Sequence, residues 1–279
     1  MPAGSPTAPP VPLVTIPGPM SDRRRRQKEQ RAARREEERK AESRRELFRR
    51  LGFALAMGAL VAASFIVVSL FGEDADSLPG SYEGYRSQPT ACGAEQPPPE
   101  VVRTYSEYQQ QEDVGPDSTV TATLVTSCGD LVIELATDMS PETVQSFVFL
   151  AREDFYDGMV FYRILKDFRA DTGDPEAVGT GGPGYRLPDE YPPADFEFER
   201  GVVAMDNRGR NTSGSRFFVV LGEDAAILNP SFNILGRIVD GDETLQRLEE
   251  IPTATRPGSR EVSLPLETVY IEDIEIEVG

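Results

Sequence analysis

Residues 161–175 read FYRILKDFRADTGDP. The run opens inside a short stretch near 159–166 that reads as a β-strand. Arg163 stands in that strand, flanked by Phe161 and followed by Phe168 and Gly173-Asp174-Pro175. A lone arginine in a strand is more often a surface or ion-pair residue. Its setting among aromatic side chains gives this one a second reading, as the charge of a site.

Working outward, strand signals recur on both sides. VTATLVTS, Gly129-Asp130 and LVIEL form a β-hairpin pattern. Ser140-Pro141-Glu142 predicts a capped helix through about Arg152, with proline in its first turn. Val144, Phe147, Val148 and Ala151 recur three and four apart, as the buried stripe of such a helix requires. Further strands are expected near 201–206, 216–221 and 232–239, a second helix over 243–250, and a last strand in VYIEDIEIEV. Many strands with two helices in about 160 residues predict a mainly β barrel or sandwich with a large core.

Four ordered stretches then narrow the reading: 161–175, GTGGPGY at 179–185, GVVAMDNRGRNTSGSRFFVVL at 201–221, and LNPSFNILGRIVDG at 228–241. Together they resemble the cyclophilins, a family of peptidyl-prolyl cis-trans isomerases, and the resemblance covers the domain at 118–279. It implies an eight-stranded antiparallel barrel capped by two helices. It also implies catalysis of X-Pro bond rotation, with Arg163 in the position of the catalytic arginine. By motif position Phe168, Phe218 and Leu228 line an apolar floor for proline, Phe232 sits at its rim, Asn207 grips the peptide backbone, and Asp171 and Asp206 also fall at substrate-binding positions. Phe217, on the opposite face of its strand from Phe218, is expected in the core. The glycine-rich 179–184 stretch reads as a surface loop beside the groove.

Several positions depart from the family pattern. Asp171 stands where glutamine is usual, Arg169 where methionine is usual, and Asp206 where alanine is usual. Ile227 replaces a tryptophan and Arg208 a small residue. Asp171 has two readings: it pairs with Arg163 and cancels part of its field, or it repels a carbonyl oxygen of the peptide. A second reading is therefore a cyclophilin-fold module that binds proline peptides, or acts as a chaperone, with little or no turnover. A third is a structural tether.

The rest of the chain has a different character. Of 279 residues, 47 are acidic and 29 basic, yet residues 21–50 alone carry 14 Lys/Arg against 7 Asp/Glu. Residues 1–20 hold seven prolines and read as disordered. Met20, followed by Ser-Asp-Arg-Arg-Arg-Arg, resembles a natural start. Residues 21–50 predict a charged cytosolic helix, with contact to anionic lipid as its sharper reading. Residues 51–71, LGFALAMGALVAASFIVVSLF, carry no charge and predict one transmembrane helix. Arginines precede this run and acids follow it, which places the N-terminus in the cytoplasm and the C-terminal domain outside. The expected molecule is thus a single-pass, membrane-anchored bacterial form of the family, acting on proline-containing segments of exported proteins.

Residues 72–117 read as an extracytoplasmic linker, poor in groups to bury. It holds Cys92. With Cys128 on the same outward side, a disulfide between the two is expected, against the alternative of two free thiols. The absence of histidine excludes histidine triads, imidazole metal sites and histidine proton shuttles. Two cysteines cannot build a four-thiolate zinc site. No cofactor, metal or nucleic-acid partner is expected.

Overall fold

The structure is a computed structural model that describes residues 80–99 and 102–279. Its centre is one curled antiparallel sheet of eight strands, in the order β10-β1-β2-β7-β5-β6-β4-β3. The hairpin read from the sequence is β1 (Val120–Thr126) and β2 (Gly129–Leu135), paired from Thr121↔Glu134 to Thr126↔Gly129. β3 (Arg163–Leu165) pairs with β4 (Arg169–Thr172), β5 is Val202–Met205, β6 Phe217–Val220, β7 Ile234–Asp240 and β10 Ile271–Val278. The alternation of burial along β1 follows the period of two that its sequence shows.

The expected barrel is seen as this curled sheet, whose outermost strands are β10 and β3. The segments leading into those two strands bond to each other, through Phe161 N–H to Val269 O and Ile271 N–H to Met159 O, both at 2.9 Å. Two more strands, β8 (Thr253–Thr255) and β9 (Val262–Pro265), form a separate hairpin that packs against β3.

Both expected helices are present: α2 (Pro141–Arg152) and α3 (Asp242–Glu250). The cap of α2 differs from the sequence reading. Ser140 makes no side-chain cap, and the task falls to Glu190, which accepts from the backbone N–H of Glu142 (2.9 Å) and Thr143 (2.8 Å). A carboxylate there satisfies orphan N–H donors and meets the positive end of the helix dipole. Buried Asn233 fixes this corner, donating to Thr143 Oγ1 and Pro188 O and accepting from Glu190 N–H.

The main core lies between the sheet and α2, with Leu124, Ile133, Phe147, Leu150, Ile164 and Phe217 fully buried. Phe217 meets Phe147 and Tyr156 edge-on, at 5.8 and 5.7 Å between ring centroids.

Part of the segment read as a linker is instead held on the domain. A short helix α1 (Tyr82–Arg86) buries Tyr82 and Tyr85. Tyr82 Oη donates to Gly158 O, and Tyr85 Oη to Tyr162 O. Cys92 and Cys128 form a disulfide across 36 residues of sequence, with Cα atoms 5.3 Å apart. The composition argument overlooked two tyrosines three apart, each of which brings a large apolar ring and a donor that finds a buried carbonyl. The readings of 1–20, 21–50 and 51–71 lie outside the described residues. Among the described residues no helix is long and apolar enough to cross a membrane.

Candidate active site

Arg163 and Asp171 are register partners on β3 and β4. Their side chains meet, with Arg163 Nη1 donating to Asp171 Oδ2 at 2.9 Å. A second carboxylate comes from the β8–β9 hairpin. Glu261, the residue before β9, accepts from Arg163 Nε at 2.8 Å and Nη2 at 2.7 Å. This is the two-pronged contact that guanidinium and carboxylate geometries favour.

The pairing continues away from Arg163. Arg169 Nη2 lies 3.0 Å from Asp171 Oδ1 and 3.4 Å from Asp206 Oδ1, and Arg216 Nη2 lies 3.3 Å from Asp206 Oδ2. Glu261, Arg163, Asp171, Arg169, Asp206 and Arg216 thus form one chain of alternating sign, with as many arginines as acids. Three of its members, Asp171, Arg169 and Asp206, are the charges that the sequence reading set apart from the pattern it resembles. Each of these charges is met by another.

Burial and pairing together shift Asp171, Arg163 and Glu261. Asp171 is buried, with its side chain 2 % exposed. Desolvation pushes its carboxyl above the usual value, against the pull of Arg169 and Arg163. For Arg163, burial favours the neutral form, but the hydrogen bonds and charges of Glu261 and Asp171 outweigh it and the pKa rises. Arg163 is thereby a cation at any working pH. Its hydrogen bond holds the Glu261 carboxyl down at about 2.

Beside the charges lies a second apolar cluster, on the other face of β6 from Phe217. Phe218 is its fully buried centre, with Phe168, Leu228 and Phe232 partly buried around it. The Phe232 ring stands edge-on to Phe218, 5.3 Å between centroids at 89°. The structure therefore gathers the four residues expected to line a proline floor, but it covers the central one. Arg169 lays its guanidinium over Phe218, Cζ to centroid 4.3 Å, and lies 5.9 Å from Phe168. A methionine cannot make the ion pairs that hold this side chain here.

The structure gives the remaining positions local contacts of their own. Asn207 spends its amide locally, donating Nδ2 to Ser231 O at 2.8 Å and accepting from Gly209 N–H at 3.1 Å. Arg208 and Arg216 both donate to Gly179 O, tying down the glycine-rich loop. Ile227 is 81 % exposed. Gly173 is required by its position: it has φ +77°, and a Cβ would come 2.4 Å from Ser215 O.

Glu261 and Arg216 were not found from sequence. Glu261 lies 98 residues from Arg163 in a polar loop with no periodic or motif signal. Arg216 stands just before the Phe217-Phe218 pair and carries no signal of its own. Among the described residues no group of acidic or cysteine side chains is arranged to hold a metal ion.

Comparison with known proteins identifies the family. The family model for cyclophilin type peptidyl-prolyl cis-trans isomerase/CLD matches residues 121–276. The rat peptidyl-prolyl cis-trans isomerase-like 3 is 38 % identical over 163 residues, covering 57 % of this chain and 98 % of the relative. Peptidyl-prolyl cis-trans isomerase A of Mycobacterium tuberculosis is 37 % identical over 179 residues, covering 58 % and 94 %. Among solved structures, a Cryptosporidium parvum cyclophilin type isomerase in the presence of the dipeptide Ala-Pro is 30 % identical with a TM-score of 0.51. That match covers 57 % of this chain and 99 % of the other. A family model over more than half the chain and relatives covered almost end to end show that this chain belongs to the cyclophilin-type peptidyl-prolyl cis-trans isomerases.

Proposed function

We propose that this chain is a membrane-tethered prolyl isomerase that accelerates X-Pro rotation in exported proteins, with Arg163 as its catalytic residue. The reaction needs neither nucleophile nor metal. The barrier of roughly 18–20 kcal/mol is the loss of amide resonance on twisting. At the twist the proline nitrogen regains its lone pair, so a fixed donor aimed at it favours the transition state over either planar isomer. The observation that carries the reading is the Arg163 guanidinium, held by Asp171 and Glu261 in the same site as the Phe168, Phe218, Leu228 and Phe232 cluster. The Ala-Pro dipeptide with the Cryptosporidium relative supports proline-containing peptides as ligands.

The tether rests on the uncharged run at 51–71 as the contact with the bilayer. The basic 21–50 segment fits an anionic leaflet. The Cys92–Cys128 disulfide supports an oxidising, extracytoplasmic setting for the domain. Protease added to intact cells should then remove the domain and spare the basic segment. A domain protected until lysis would reverse the orientation.

One observation favours a second reading. With Arg169 over Phe218, the floor for proline is partly filled, which suits a module that binds proline segments weakly and turns them over slowly. A protease-coupled prolyl-peptide assay of the full chain decides between them. Turnover above the uncatalysed rate supports the isomerase. Peptide binding without turnover supports the module.

A further inference from the structure

We propose that Glu261 is a positioning residue for the isomerisation, one that fixes the plane of the Arg163 guanidinium so that its unshared N–H groups are presented to the peptide. The inference rests on the isomerase reading of the site and adds to it a residue from outside the recognised motifs.

Arg163 needs such a partner because of where it sits. β3 is the outermost strand on its side of the sheet, so its hydrogen-bonded neighbour in that sheet is β4 alone. From β4, Asp171 reaches one nitrogen, Nη1. One contact leaves the guanidinium free to turn about it and leaves a long stem with its rotamer freedom. Glu261 removes that freedom by taking Nε and Nη2 together. Contacts on three different nitrogens define a plane. A guanidinium has five N–H donors. These three contacts leave one N–H on each terminal nitrogen without a partner among the described residues, and those are the donors left for a substrate.

Glu261 is itself held in place. Ser263 Oγ donates to its Oε1, and the hairpin that carries it is docked on β3 by a second contact. Arg256 Nη2 donates to the carbonyl of Tyr162, the residue before Arg163, at 2.7 Å. The same carbonyl accepts from Tyr85. The arginine and the acid that orients it are therefore anchored through adjacent backbone. Glu261 also remains ionised at any pH at which the enzyme works, its carboxyl held near 2. A donor fixed before the reaction needs no reordering at the barrier, and small misplacements of such groups are costly.

The test is Glu261→Gln in the full chain, read by steady-state kinetics on a proline-containing tetrapeptide and by the NMR signal of the Arg163 Nε–H. Glutamine keeps the length but replaces one acceptor by an NH2 group, which faces a donor and breaks the fork. The expected result is a kcat reduced roughly ten- to hundredfold. KM should stay within about twofold, since proline binding is left alone, and the Nε–H signal should shift or broaden. In an Arg163→Ala background the same change should cost nothing further, because both act through one group. An unchanged kcat despite a shifted Nε–H signal would overturn the proposal. So would a raised kcat, which would make Glu261 a brake, or an equal loss with and without Arg163, which would make it part of the scaffold. A wild-type chain with no turnover would overturn the isomerase reading, and the role of Glu261 with it.

Discussion

The Arg169 guanidinium lies 3.0 Å from the Asp171 carboxylate, with side chains 12 % and 2 % exposed. Read one at a time, each residue is a charge where the resemblance led us to expect a neutral side chain. Together they form a buried pair, and Asp171 is shared with Arg163. Removing one partner of a buried pair leaves the other charge stranded, at a cost of about 3–5 kcal/mol. We expect Asp171→Gln to lose stability toward that scale, and Arg169→Met added to it to recover most of the loss. Urea unfolding of the two single variants and the double variant measures the coupling. Additive losses would show that the two side chains act separately.

Arg169 also covers Phe218, with its guanidinium carbon 4.3 Å from the ring centroid. A cation over a ring is stabilised by about 0.5–2 kcal/mol. A proline ring seeking the same face must displace it. The double variant Arg169→Met with Asp171→Gln should therefore bind a proline peptide several-fold more tightly than the wild type. Calorimetric titration reads this directly. Weaker binding in the double variant would mean that Arg169 contacts the peptide favourably.

Glu261 titrates far below an ordinary glutamate, about 2 against 4.5, because Arg163 donates to it. A depressed carboxyl contributes stability that is complete above about 4.5 and is lost as pH falls through about 2. A carboxyl-carbon NMR titration should find this midpoint low in the wild type, and Arg163→Ala should return it toward 4.5. A wild-type midpoint near the ordinary value would show that the fork does not persist in solution.

The Cys92–Cys128 bridge closes a loop of 36 residues in sequence separation. In the chain-entropy model a loop of this size is worth about 4 kcal/mol, an upper figure for practice. Reduction should lower the unfolding midpoint of the domain. It should also expose Tyr82 and Tyr85, visible as a change in tyrosine fluorescence below that midpoint. Equal stability of the oxidised and reduced forms would show that the buried tyrosines alone hold the 80–99 segment.

What the sequence disclosed follows from the range over which its signals act. Strand alternation and the stripe of α2 are local, and the four motif stretches keep their order, so the sheet apart from β4 and both helices were legible. Of the residues expected at a site, the structure brings together Arg163, Phe168, Asp171, Phe218, Leu228 and Phe232, as far as those motifs reach. Of the two readings of Asp171, the structure shows the pairing with Arg163. What was missed is non-local. Glu190 caps a helix 48 residues away, and Glu261 holds an arginine 98 residues away. Neither pairing leaves a pattern in the neighbouring sequence. β4 was hidden because Arg169 and Asp171 make RADT read as polar loop rather than strand, their charges being satisfied only by each other and by distant partners.

The central claim is that Arg163 carries the catalysis, and its most direct test is Arg163→Ala in the prolyl-peptide assay, with thermal unfolding recorded alongside. Removing one preorganised donor costs other enzymes on the order of 10²–10³ in rate. We expect kcat/KM to fall by up to that much, with peptide binding largely kept by the phenylalanine cluster and the fold intact. A variant that folds, binds and isomerises as fast as the wild type would contradict the account.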